Sequence, residues 1–224
     1  MKVLIASGAG GGTAKKSIGK YFHLKEFGEA FKNRFEQTPK SWRNGGYKEY
    51  SNKILSICQT ISLIGEDYAC FEPTIVKTHK KRAYYIREKG LGQNSKKTWQ
   101  KLKAWIYTNE IKEYSQIGIY HDNPIITNAK DCHYVAAITL KAEDILLNSN
   151  LPYFNLYDGL CAKFSFEGNY CDILKLIQWV YHYWLPSSGY EATTIPSYIK
   201  FEKNDYFDNS GKFVAKYYLP IAFS

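Results

Sequence analysis

No apolar run in the sequence approaches the roughly 18 to 20 residues needed to cross a bilayer, which excludes a spanning helix, and no membrane partner is expected. The start, Met1 to Ser7, is too short for a signal-peptide core and leads into glycines instead of a cleavage site, so the reading predicts a cytoplasmic protein. Cysteine is present five times, at Cys58, Cys70, Cys132, Cys161 and Cys171, but with no CxxC pair and no regular spacing. That pattern offers no zinc knuckle or redox motif, and the expectation is of small buried hydrophobes in a reducing compartment. Acidic residues are scarce in the first half. Met1 to Lys53 holds 11 Lys and Arg against 4 acids, and Lys77 to Lys103 holds 10 against Glu88 alone, whereas Ala142 to the end has 6 against 9. Such a bias suits either phosphate contact or a solvated basic face.

Several chemistries are missing from the motifs. Lys2-Val3-Leu4-Ile5-Ala6 followed by Gly8, Gly10, Gly11 and Gly12 imitates a strand entering a phosphate-binding turn. It lacks the third glycine, which would fall at Thr13, and it carries Ala14-Lys15-Lys16 where a P-loop needs Gly-Lys-Ser/Thr. Residues 1–18 therefore read as a flexible glycine-rich leader. His23, His79, His121, His133 and His182 show no HxxxH or His-Cys spacing for a metal, and no serine sits in a GxSxG elbow. Asp122, before Asn123-Pro124, reads as a turn former. The residues thus predict no catalytic set, no metal and no cofactor.

What is abundant is aromatic: 20 Tyr, 12 Phe and 5 Trp, enough to fill a core or to line a pocket. Leu24, Phe27, Phe31 and Phe35 repeat on one helical face, and Thr38-Pro39 supplies an N-cap and a first-turn proline for a second helix that Gly45-Gly46 ends. A third amphipathic stretch carries Tyr50, Ile54, Ile57, Cys58 and Ile61. Residues 19–66 thus form a small all-α region, and the boundary to the next domain falls near Phe71 to Pro73.

From Thr74 the pattern repeats. A strand (Thr74 to Glu88), Gly90, a helix bearing Trp99, Leu102, Trp105 and Ile106, and strands Ile117 to Tyr120 and Cys132 to Leu140 make the first unit. The second has a strand (Phe154 to Phe166), Gly168, a helix bearing Tyr170, Ile173, Leu174, Ile177, Val180 and Trp184, and strands Ser197 to Glu202 and Phe213 to Phe223. Two β-α-β-β units predict an α+β domain over 72–224, with an antiparallel sheet and two helices against it. Ala142 to Pro152 is the polar connection.

Four phrases in this region resemble the GyrI-like (SOUL-like) small-molecule-binding family, which also serves as the effector domain of some AraC-type and MerR-type regulators. They are Lys81-Arg82-Ala83-Tyr84-Tyr85-Ile86-Arg87-Glu88-Lys89-Gly90, Ile117-Gly118-Ile119-Tyr120-His121-Asp122-Asn123-Pro124, Trp184-Leu185-Pro186-Ser187-Ser188-Gly189-Tyr190, and Tyr218-Leu219-Pro220-Ile221. The stretch from Phe27 to Arg43 resembles the end of an AraC-type DNA-binding domain, with the first helix-turn-helix unit absent. That resemblance implies a truncated DNA-binding remnant whose Lys25, Lys32, Arg34, Lys40 and Arg43 would meet phosphate, giving weak DNA contact at most.

The family resemblance implies an aromatic cleft between the two halves. Tyr85, Trp105, Tyr120, Tyr157, Trp184, Ile199, Phe201 and Tyr218 are its expected ligand-binding residues. The family's cleft acid lies in a motif of the form Pro-x-aromatic-Glu-x-Tyr, which here reads Pro196-Ser197-Tyr198-Ile199-Lys200-Phe201, with Ile199 in the acid's place. Alternation on a strand puts Ile199 and Phe201 on the pocket side and Tyr198, Lys200 and Glu202 on the other. Without the carboxylate, a neutral or weakly polar aromatic effector is expected rather than a cation, and hydrolysis is not expected. The leading function is a ligand-responsive transcriptional regulator. A stand-alone small-molecule or gyrase-binding protein is the alternative, and a cofactor-free hydrolase is a third.

Overall fold

The computed structural model describes residues 24–58, 72–140 and 150–224. The glycine-rich leader and most of both connecting segments, with Cys70 and Ile61, lie outside them.

The N-terminal region holds helices α1 (Leu24–Phe35), α2 (Pro39–Ser41) and α3 (Tyr47–Ile54). Thr38 caps α2 by accepting the Ser41 N–H at 3.1 Å, with Pro39 in the first turn, as that pairing predicts. The chain does not stop at Gly45-Gly46. Gly45, at φ 106°, makes a kink that only glycine adopts freely, and helix resumes in α3. The kink lets Phe31, Phe35, Trp42 and Tyr50 meet in a small aromatic core, with Phe35 and Trp42 rings 4.6 Å apart.

The second domain contains β1 (Thr74–Thr78), β2 (Arg82–Lys89), α4 (Gln93–Thr108), β3 (Tyr114–Tyr120) and β4 (His133–Leu140), then β5 (Tyr153–Asn155), β6 (Gly159–Gly168) and α5 (Tyr170–Trp179). A wider-wound turn at Val180–Trp184 joins α5 to α6 (Leu185–Ser187), and β7 (Tyr190–Ala192), β8 (Tyr198–Lys203), α7 (Asp205–Asp208) and β9 (Phe213–Phe223) complete the chain. This is the expected α+β duplication. Asn169 starts α5 with a capping box, accepting N–H bonds from Cys171 and Asp172 while the Asp172 carboxylate accepts its own N–H at 2.9 Å.

The sheet order is β1-β6-β9-β8-β3-β4-β2-β5, antiparallel throughout. It is symmetric about the β8–β3 pair, and each half lends its leading strand, β1 or β5, to the far edge of the other half. The two long strands expected at Thr74 and Phe154 are therefore each broken, at residues 79–81 and 156–158. Three intervening residues reach about 14 Å, while β1 and β2 would stand about 29 Å apart in a flat sheet. The sheet must curl to bring them together, and Leu156 N–H, donating to Lys81 O at 2.8 Å, ties the two crossings.

Curling gives the sheet two unlike faces. On the outer face α4 and α5 bury the main core, including Trp99, Leu102, Phe164, Ile173, Ile177 and Tyr217. The inner face closes on a smaller core of Ala83, Ile117, Ile119, Val135, Ala137, Leu156 and Tyr198.

The N-terminal helices are keyed to this domain along α5. Gln178 Nε2 donates to Ser51 Oγ at 3.1 Å and Asn52 Oδ1 at 2.8 Å, and Tyr47 meets the His182 ring edge-on at 5.0 Å. Leu55 enters the main core and Ile126 packs against the N-terminal one. Cys58 and Cys171 form a disulfide across the junction. This corrects the expectation that all the cysteines are unpaired small hydrophobes. Their separation of 113 residues carries no spacing signal, so only the packing of α3 against α5 brings them together. Cys132 and Cys161 are free and buried, as expected.

Candidate functional site

The floor of the site is the centre of the sheet under α4. Gly118 on β3 is there because nothing larger fits: a Cβ would stand 2.5 Å from the Tyr134 hydroxyl and 2.9 Å from the Phe201 ring. The Tyr134 hydroxyl lies over that gap and accepts the Trp99 indole N–H at 3.0 Å. Trp99 is fully buried and turns its edge to Phe201 at 5.7 Å and to Phe207 at 6.1 Å. Three more phenols gather around Tyr134. Tyr120 faces it across the β3–β4 pair at 5.4 Å, Tyr170 opens α5, and Tyr206 on α7 lies 6.3 Å from Tyr170 and 4.9 Å from Phe213.

The electrostatics of this cluster are those of neutral donors. Burial pushes the Tyr120, Tyr134, Tyr170 and Tyr206 phenols above the ordinary tyrosine range, so all four keep their protons near neutrality. Burial likewise pushes the neighbouring Cys132 thiol up to about 12, which removes it as a nucleophile. The hydroxyls of Tyr170 and Tyr206 are buried and have no hydrogen-bond partner among the described residues.

The eight expected ligand residues do not come together. Tyr120, Ile199 and Phe201 share the outer face beneath the helices, and the strand alternation places Ile199 and Phe201 together and Tyr198 on the opposite face, as read. Ile199 is only 2% exposed, packed among core side chains. Trp105 lies at the far end of α4, against Tyr84 at 6.5 Å and bonded to Asn150 Oδ1 at 2.6 Å. Trp184 occupies the equivalent flank of the second half, between Phe164 at 5.1 Å and Tyr190 at 6.4 Å. Tyr85 and Tyr218 face the inner core, packed on Phe154 and Tyr198. Tyr157 lies over Gly159 in the β5–β6 crossing, where its carbonyl accepts the Thr78 hydroxyl at 2.9 Å. One cleft holding all eight would need side chains on both faces of one sheet.

The residues that sequence reasoning missed are Tyr134, Tyr206 and the roles of Trp99, Tyr170 and Gly118. Trp99 and Tyr170 were visible only as helix-face residues, which core packing explains equally well. Tyr206 lies in a short helix with no periodicity to announce it.

Other candidate chemistry is occupied. Burial pushes the Asp122 carboxyl up, but the His133 N–H and ring Nδ1, both at 2.8 Å, outweigh it and hold it below the usual carboxylate range. The pair pins the turn after β3, in keeping with Asp122 as a turn residue. Among the described residues no group of three or more His, Cys, Asp or Glu could hold a metal ion. No described helix is long and apolar enough to cross a membrane. Of the expected DNA contacts, Lys32, Arg34, Lys40 and Arg43 are exposed, and Lys25 belongs to α1 with its side chain outside the described set. Two open depressions, of about 270 Å³ beside Glu202 and Lys216 and about 670 Å³ beside Lys40 and Gly45, both lie away from the phenols.

Comparison with known proteins rests on this architecture. No curated protein sequence matches the chain. Among solved structures it is similar to a hydrolase encoded by lin2189 from Listeria innocua, with 12% identity over 67% of this chain and 92% of that one, at a TM-score of 0.51. It is also similar to an uncharacterized conserved protein from Listeria innocua, with 11% identity over 67% and 92% and a TM-score of 0.50. At such identities the likeness is one of fold. The profile of the GyrI-like small molecule binding domain matches residues 71–222, the whole duplicated unit and more than half of the sequence. The chain therefore belongs to the GyrI-like small-molecule binding family.

Proposed function

We propose that the protein is a non-enzymatic, ligand-responsive regulator in which the aromatic seam beneath α4 and α5 binds a small, neutral or weakly polar aromatic molecule and the N-terminal helices report its presence. The observation that carries this reading is the keying of α3 to α5. Cys171, disulfide-bonded to Cys58, is adjacent in sequence to Tyr170, one of the seam phenols. A ligand that shifts the start of α5 must therefore shift the end of the N-terminal unit. Binding without turnover is favoured because the buried thiol is protonated, Asp122 is engaged by His133, and Ile199 stands where the family resemblance expects an acid.

The AraC-type resemblance of residues 27–43 supplies the output. Phe31, Phe35 and Trp42 are buried while Lys32, Arg34, Lys40 and Arg43 face solvent, so DNA contact falls on phosphate rather than on bases. The test is a pair of titrations on the full chain. Tryptophan quenching by a neutral polyaromatic compound should saturate and should alter hydrogen exchange across residues 24–58. Duplex DNA should bind with little sequence preference, and the slope of log affinity against log salt should be about −3 to −4 for four neutralised phosphates. Ligand binding with no DNA affinity at low salt would favour the stand-alone binding protein instead.

The junction also predicts a pH response. His182 is buried beside Lys48 and under Tyr47, and burial, then the Lys48 charge, lowers its pKa from the usual 6.5 to about 4. The folded state thus prefers neutral imidazole. Its contribution to docking is complete above 6.5 and is lost as pH falls toward about 4, by at most about 3 kcal/mol. Protection of the residue 47–58 amides, with the intrinsic pH dependence of exchange divided out, should fall across that window, and His182→Phe should abolish the change. An equal loss of protection in the variant would show that another group titrates.

A further inference from the structure

The inner face of the sheet is apolar at its centre and basic at one end. Pairing sets Lys163 on β6, Tyr218 on β9 and Tyr198 on β8 in one cross-strand row, and Tyr198 belongs to the inner core, so the row lies on that face. Two residues along, the next row on the same face is Ser165, Lys216 and Lys200. The register shift between Phe201 and Lys203 then brings Lys203 opposite Val214, itself opposite Glu167, and so turns a further lysine onto this face. Lys212, just before β9, pairs with Glu167, and Lys216 Nζ lies 2.6 Å from Glu202 Oε1. Five lysines and two glutamates thus surround an open depression of about 270 Å³, lined in part by Ser165, Glu167, Glu202, Val214 and Lys216.

This placement costs the protein stability when nothing is bound. Lys200 stands directly opposite Lys216, where like charges weaken a strand pair, and Lys163 is a diagonal neighbour of Lys216. Among the described residues Lys163, Lys200 and Lys203 have no carboxylate at contact distance, and Lys200 and Lys203 act on Glu202 and Glu167 only from farther off. The surplus of positive charge calls for an anion. A depression of this size admits one extended chain and not a duplex. Its two glutamates would also repel a strand that carries a phosphate at every residue, whereas a peptide brings carboxylates to the lysines and backbone N–H donors to the glutamates.

Independently of the aromatic seam, we propose that this end of the inner face is a docking surface for an extended acidic peptide segment of a partner protein, with Lys163, Lys200 and Lys203 receiving its carboxylates. The experiment uses the full chain and fluorescence anisotropy at about 20 mM salt, where screening is weak. Its probes are labelled peptides of six Glu-Ser repeats and six Gln-Ser repeats, and a thymidine heptamer whose six phosphates match the six glutamates. Wild type should bind the acidic peptide at least about 5-fold more tightly than either other probe. Combined Lys163→Gln, Lys200→Gln and Lys203→Gln should weaken it by about 5- to 50-fold, at the usual strength of exposed ion pairs. The same change at Lys97, Lys101 and Lys130, exposed on α4 and in the turn before β4, should leave it within about two-fold. The first triple variant should also unfold at the same or higher urea concentration, because it removes like charges from one face. A carbodiimide should join the acidic peptide to Lys163, Lys200 or Lys203. Equal losses in the two triple variants, or equal binding of the Glu and Gln peptides, overturn the proposal. Thymidine heptamer binding as tight as the acidic peptide overturns it too, and assigns the face to single-stranded nucleic acid. Tryptophan quenching by a neutral aromatic compound tests the seam separately, so either reading can fail while the other stands.

Discussion

Ile199→Glu is expected to destabilise the protein by a pH-dependent amount that reaches roughly 4 to 5 kcal/mol by about pH 8, the cost of a carboxylate buried without a partner. Ile199 is 2% exposed, opposite Gly118 on β3 and Tyr217 on β9, and belongs to the main apolar core. The new group would be held protonated in the folded state, so its folded pKa is raised above the ordinary Glu value of about 4.3. The sign follows from that. The penalty is smallest below about 4.3, where both states carry the proton, and grows by about 1.4 kcal/mol per pH unit until the raised folded pKa is passed. Ile199→Gln, which cannot ionise, should lose stability by an amount independent of pH. Urea unfolding of both variants between about pH 4 and 8 makes the measurement. A flat response in the Glu variant, together with new affinity for a lipophilic cation, would mean that position 199 borders open space and that the acid of the family motif can be restored here.

Trp99→Ala should cost about 3 to 5 kcal/mol, because a fully buried indole is replaced by a cavity at the centre of the main core. Part of that loss is polar. Removing the indole N–H strips the Tyr134 hydroxyl of its donor above Gly118. Trp99→Phe isolates this component by retaining a ring, and a double-mutant cycle with Tyr134→Phe should return a coupling of about 0.5 to 1.5 kcal/mol. A loss below about 1 kcal/mol for the alanine variant is incompatible with the packing described, since truncations of fully buried aromatic residues cost more.

Read alone, the sequence determined what local chemistry determines. Thr38-Pro39 begins a helix because its hydroxyl and its missing N–H suit a first turn wherever they occur, and it does so here. The face of α4 bearing Trp99, Leu102 and Ile106 and the face of α5 bearing Ile173, Leu174 and Ile177 follow from helical period, and the alternation of Tyr198, Ile199 and Phe201 from the strand repeat. The duplication was legible because both units spell the same order of periods. Membership of the family was legible in phrases such as Ile117 to Pro124, where turn and strand residues stand at fixed offsets.

Only the tertiary structure decided which of those residues meet. The exchange of β1 and β5 between halves has no local signal, since a break at residues 79–81 looks like any polar kink in a long strand, yet it curls the sheet and sends Tyr85 and Tyr218 inward while Tyr120 and Phe201 remain under the helices. Tyr134 and Tyr206 are 72 positions apart and become neighbours because β4 and α7 both pack beneath α4, a coincidence of three elements that no spacing encodes. Cys58 and Cys171 were unremarkable as a pair for the same reason: their proximity comes from the docking of α3 on α5. Period and capping act within a few residues and are written locally, whereas a binding site is assembled from side chains whose separation along the chain is set by everything folded between them.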